Sequence, residues 1–226
     1  MTGKSLLFLS NYLQWFGSFC IFLFALKGHA NQRVEIKILS AYGLASFLFQ
    51  AMQTISGKFL SAAYNNHIGN FYTLFELSIF LYLYYRVLNR RVIRLLVLSI
   101  AVSYLLLFLI TTGPSLQHLN STTQTTHDFI LIAFAIGYFF FLIMDLPASK
   151  LQRLPMFWIN SSVLFFFSCT FILSLSINYL IDALKDDFIL YWAFRNLLRV
   201  LFCLIICVGI WKSYATRSKL MSNIEN

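Results

Sequence analysis

Polar and apolar residues do not alternate along this chain; the apolar ones gather into seven blocks separated by short polar connections. The blocks cover residues 6–26, 36–54, 68–88, 92–110, 128–144, 157–180 and 188–211. Each approaches the ~20 residues that a helix needs to cross the hydrocarbon core of a bilayer, and the fifth is the shortest. Backbone amides in lipid must bond within the protein, so a spanning segment is a helix or a strand of a closed barrel. A barrel strand alternates outward apolar and inward polar positions over about ten residues, and no block does. The expected fold is therefore all-α: a polytopic membrane bundle of seven transmembrane helices, one domain over residues 1–226. The longest connection, 111–127, leaves no room for a soluble domain.

Composition removes the soluble alternative. The chain is 59% hydrophobic and 11% charged, with 25 phenylalanines. A soluble domain is about 45–50% apolar and about 25% charged. The net charge of +9 raises nucleic acid as a partner, but the basic residues sit in clusters between the blocks, as in loops facing an anionic leaflet. Nucleic-acid binding is excluded on that pattern, and the bilayer is the expected partner. An N-terminal leader ending near Ala30 is also rejected, because the first block is long for one and is interrupted by Asn11 and Gln14.

Charge then orients the bundle. Alternate connections and the C-terminal tail carry Lys27, Arg33, Lys37, Arg86, Arg90, Arg91, Arg94, Lys150, Arg153, Lys212, Arg217 and Lys219. The opposite side carries Lys4, Lys58 and Lys185. Positive residues stay on the cytoplasmic side, so the N-terminus is expected outside and the C-terminus in the cytoplasm. The cluster Arg86, Arg90, Arg91, Arg94 is first a topology signal and headgroup contact, and second a docking point for a cytoplasmic signalling partner.

The chemistry lies in polar residues inside the blocks. "YTLFELSIFLYLYYRV" (72–87) carries a carboxylate, Glu76, in an otherwise apolar run. The seventh block carries Arg195 and Arg199 one turn apart. Counted from the block starts, Glu76 and Arg195 lie level, about 10–12 Å in at 1.5 Å per residue. Arg195 is therefore the expected partner of Glu76, with Arg199 second. One carboxylate cannot neutralise two guanidiniums, so a positive charge is left for an anionic ligand. Ser46, Gln50 and Gln53 share a helical face; so do Asn11, Gln14 and Ser18, with Trp15 beside them. Asn66, Tyr72, Thr73 and Trp192 fall at similar depth. These residues predict a polar, aromatic-edged cavity in the outer half of the bundle, over a closed apolar floor. The candidate ligand-binding set is Gln14, Gln50, Gln53, Tyr72, Glu76, Trp192, Arg195 and Arg199. Buried polar groups also act as glue between helices, at about 0.6 kcal/mol each, which gives the same stripe a purely structural reading.

The remaining features are weaker. His67 reads as an interfacial hydrogen-bonding group, and His118 and His127 as part of a solvated loop, "SLQHLNSTTQTTHD". Asn120-Ser121-Thr122 matches a glycosylation sequon. "YTLFE" and "YWAFR" align as a faint repeat between the third and seventh blocks. Cys20, Cys169, Cys203 and Cys207 lie in apolar blocks without metal-ligand spacing and read as packing residues. No metal, cofactor, nucleophile–base pair or phosphate loop is legible, so an enzyme is not expected.

Three segments carry a resemblance: "NNHIGNFYTLFEL" (65–77), "PMFWINSSVLFFFS" (155–168) and "GIWKS" (209–213). They resemble small uncharacterised seven-helix membrane proteins of the Bacteroidota, which are loosely similar to the membrane part of seven-helix bacterial sensors. The resemblance implies a bacterial inner (cytoplasmic) membrane and a receptor-like role. Retinal proteins are excluded, because the lysine of the last block, Lys212, lies at its end. Seven-helix zinc hydrolases are set aside because no block interior holds a histidine. The expected function is a sensor or receptor-like module that binds a small polar or anionic ligand, or a lipid headgroup, and signals through a cytoplasmic partner. A small-solute or proton-coupled transporter and a structural subunit of a membrane complex are the alternatives.

Overall fold

The computed structural model describes residues 3–27, 33–59, 62–88, 90–112, 121–145, 151–177, 179–180 and 188–222. His118, Asn120, Lys150, Lys185 and Ala30 lie outside them. The long helices are α1 (Gly3–Leu26), α2 (Val34–Phe59), α3 (Ala62–Val87), α4 (Arg91–Thr112), α5 (Ser121–Asp145), α6 (Pro155–Leu175) and α7 (Phe188–Ser222). Among the described residues there is no strand. A 3-10 turn, Leu151–Arg153, leads into α6, whose first turn takes Pro155. A proline there gives up an N–H that has no intrahelical partner anyway.

Six of these helices are long and apolar enough to cross a bilayer. The exception is α3, with 26 residues but lower mean hydropathy. Asn65, Asn66, His67, Asn70, Glu76 and five tyrosines dilute it. The expectation of seven apolar spans is thus met by six, with α3 as a helix of spanning length whose polar groups need protein around them. α7 has 35 residues, about 52 Å at 1.5 Å per residue, and so exceeds a ~30 Å hydrocarbon core.

The helices close into a ring. α1 packs on α2 and α7, α2 on α3, α3 on α5, α5 on α6, and α6 on α7. α4 lies outside the ring against α3 and α5. Two seams are tight enough to demand glycine. A Cβ on Gly43 would meet the Phe22 backbone nitrogen at 2.8 Å, and one on Gly209 the Ile159 side chain at 2.8 Å and the Pro155 carbonyl at 3.1 Å. Small residues let membrane helices approach this closely, where packing rather than the hydrophobic effect holds them together.

The interior and exterior are both apolar. Inside, Phe80, Phe166, Phe167 and Phe202 pack on one another, mostly edge to face, and Phe80 and Phe202 pack edge to face on Tyr42, with ring centroids 5.0–6.2 Å apart. Outside, α4 shows Val92, Leu95, Leu98, Val102, Leu106, Leu109 and Ile110, and α5 shows Phe129, Ile136, Phe140 and Ile143. Water would not tolerate so continuous an apolar exterior. This is the construction of an integral membrane protein.

Candidate functional site

Glu76 reaches the ring interior from α3 and is 2% exposed. Arg199 of α7 meets it fork to fork, Nη1 on Oε1 and Nη2 on Oε2, the latter at 3.1 Å. Tyr42 of α2 donates to Oε1 at 2.7 Å and Tyr72 at 3.0 Å. The guanidinium lies 4.1 Å above the Phe166 ring. Charge pairing, hydroxyl donors and an aromatic face together make burial of both ions tolerable.

The expected partner was Arg195, and the structure corrects this to Arg199. Helical side chains lean toward the N-terminus of their helix, and the longer arginine stem leans further than glutamate. The arginine that starts one turn beyond Glu76 is therefore the one that arrives level with it. Arg195 is half-buried and bonds elsewhere. With its amide oxygen turned to the guanidinium, Gln124 of α5 accepts from both terminal nitrogens of Arg195. Trp192 lies 5.6 Å from the same group.

Two further corrections come from α5. It starts at Ser121, so His127 and Asp128 are not in a solvated loop but in a helix, 2% and 1% exposed. A histidine does therefore occupy a span interior, and Glu76 is not the sole buried carboxylate. His127 Nδ1 lies 2.9 Å from Asp128 Oδ1. Ser174 of α6 donates to the other Asp128 oxygen at 3.3 Å. An ionised Asp128 carboxylate only accepts, which puts a hydrogen on Nδ1, and in the neutral imidazole Nε2 is then a bare lone pair. That nitrogen is buried, has no hydrogen-bond partner, and faces Glu76 Oε2 at 3.9 Å. The charge balance also changes: Glu76 and Asp128 match Arg195 and Arg199, and no surplus positive charge remains while His127 is neutral. Among the described residues no group of His, Cys, Asp and Glu side chains has the make-up of a metal site.

Directly above the pair lies a cavity of about 670 Å³. Of the predicted set, Gln14, Gln50, Gln53, Tyr72, Trp192, Arg195 and Arg199 line it, and Glu76 sits behind Arg199. Sequence reasoning missed Asn65, Gln124 and Asn196 in its wall. In all, eight carboxamides face it among the described residues. Some hold the wall together: Gln50 donates to Ser18 at 3.0 Å, and Asn196 to Asn11 at 2.6 Å. The Gln50 carbonyl oxygen is buried without a partner. Below, Tyr42, Phe80, Phe166, Phe167 and Phe202 form the apolar floor.

The basic cluster at the other end is partly engaged. Arg90 lies over Phe141 at 5.0 Å and Arg94 over Tyr85 at 5.2 Å, while Arg86 and Arg91 are exposed. Comparison with known proteins finds no matching family model, no similar curated protein and no similar solved structure.

Proposed function

We propose that this chain is a receptor-like module of the bacterial inner membrane that binds a small polar anion in the cavity above Glu76 and Arg199. The observation that carries the reading is the cavity wall: eight carboxamides, the half-buried Arg195 guanidinium and the unpartnered Gln50 carbonyl oxygen. A guanidinium takes a carboxylate or phosphate in a forked pair, and carboxamides take hydroxyl or amide groups. The ligand class is therefore an anion that also carries hydrogen-bond donors, such as a hydroxylated carboxylate or a phosphate headgroup. α3 serves as the seventh span, the N-terminus faces outward, and the state is read in the cytoplasm through Arg86, Arg91 and the end of α7.

Purified protein in nanodiscs tests this through thermal stability against gluconate, glutamate and glycerol phosphate. At least one should raise the melting temperature of the wild type and fail to raise that of Arg195→Ala. No shift with any of them removes the reading.

A proton-coupled transporter of the same ligand is the second reading, favoured by the buried series Asp128, His127, Glu76. Uptake of the stabilising anion into proteoliposomes separates the two, because a receptor gives no flux.

A further inference from the structure

The cavity has a second occupant built in beneath it. His127 Nε2 and Glu76 Oε2 face each other at 3.9 Å with no donor between them. Both are acceptors while the imidazole is neutral, so the gap is repulsive and too long for a hydrogen bond. One proton on Nε2 reverses the sign of that contact. We propose that His127 is a proton-binding site, and that filling it hands Glu76 Oε2 from Arg199 Nη2 to His127 and frees that guanidinium nitrogen for the cavity Arg199 already lines.

The surroundings make the exchange possible. Asp128 holds Nδ1 and keeps the ring turned toward Glu76. Phe167 of α6 packs edge-on against the ring at 5.2 Å, which fixes its plane. The ionisable groups facing the imidazole are Glu76 of α3 and Asp128 of α5, with Tyr104 of α4 in electrostatic range of both carboxylates. Arg199 of α7, Tyr42 of α2 and Tyr72 of α3 stand on the far side of Glu76. Three anion-favouring hydroxyl and guanidinium donors already converge on Oε1, whereas Oε2 holds Arg199 Nη2 at 3.1 Å. Oε2 is thus the oxygen that can change partner. The proton comes from solvent and rests on Nε2 as an N–H bond; nothing is oxidised or reduced. With His127 charged, the four matched ions become five with one positive charge in excess. That excess appears on Arg199, the cluster's link to the cavity. Proton and anion then bind together, which rests on the anion reading above; the proton site itself does not.

The test uses ligand-free protein in nanodiscs, so its failure is separate from failure of the anion reading. Substituting His29, His67 and His118 by glutamine leaves His127 as the sole imidazole, with its own packing intact. Nitrogen-15 NMR of the ring and of the arginine guanidiniums is followed as pH falls from about 8 to about 5, the range in which imidazoles change charge. The expected result is conversion of His127 to the imidazolium, with the Arg199 signal, assigned by Arg199→Lys, moving at the same midpoint. His127 remaining neutral throughout overturns the proposal. So does protonation of His127 that leaves the Arg199 signal unmoved, because the exchange of partners would then not occur.

Discussion

Two of the polar clusters buried among the described residues are built on opposite rules. In one, the Tyr84 hydroxyl of α3 donates to Asn160 Oδ1 of α6 at 2.6 Å, and Asn160 Nδ2 donates to the Ala135 carbonyl of α5 at 2.9 Å. It is neutral and closed, and it lies among apolar neighbours. In the other, Glu76, Arg199, His127 and Asp128 are ionisable, one nitrogen lacks a partner, and one guanidinium opens on a cavity. The closed cluster does what hydrogen bonds between membrane helices generally do, which is to fix their register. The open cluster costs more to bury and is less satisfied, which glue alone does not require. Incomplete satisfaction beside a polar cavity is what marks a site.

Substitutions sharpen that contrast. The largest effect is expected at Glu76. Glu76→Leu strands the Arg199 guanidinium in the core, and loss of one partner of a buried ion pair costs about 3–5 kcal/mol. Unfolding in detergent should show it. Adding Arg199→Met should restore most of that stability, since apolar replacement of a whole pair is often neutral. The double variant should still lose the anion response. A double variant that keeps the response would assign the pair to structure alone.

Asn160→Leu is expected next, at about 1–3 kcal/mol, because Tyr84 loses its acceptor and the Ala135 carbonyl its donor. The same unfolding measurement should give a cost that is constant with pH and should leave anion stabilisation intact. A pH-dependent cost would erase the distinction between the clusters.

Arg195→Ala should change stability least, by about 1 kcal/mol, because the side chain is half-buried and the partner it leaves, Gln124, is uncharged. It should nevertheless abolish the anion shift in melting temperature. The last expectation concerns pH. If proton and anion bind together, the stabilising anion should bind more tightly as pH falls through the imidazole range, by reciprocity of linked sites. Isothermal titration at two pH values measures this, and equal affinities would uncouple the sites.

Much of this was legible in the sequence, for reasons that particular residues make plain. Six helices follow from unbroken apolar blocks, since in lipid such blocks have few other structures open to them. The helical spacing of Gln14, Gln50, Gln53 and Arg195 brought them to one cavity, because polar side chains in a span turn away from lipid. What failed was the start of α5. Thr123, Gln124, His127 and Asp128 are polar, and polarity reads as loop only where water is the alternative; here they face the ring interior. Their spacing held the missing signal. Thr123, Gln124, His127, Asp128, Leu131 and Ala135 recur at helical intervals and are all buried. The choice between Arg195 and Arg199 was not legible, because depth along an axis omits the lean and length of a side chain.

The most direct test of the central claim, a wet cavity that receives an anion, is the reactivity of one thiol placed inside it. Gln53→Cys, with Cys20, Cys169, Cys203 and Cys207 replaced by alanine, would be exposed to a membrane-impermeant maleimide added on the N-terminal side. Rapid labelling that slows when a stabilising anion is present is the predicted result. Labelling by membrane-permeant reagents alone, or at a rate no anion alters, would contradict it.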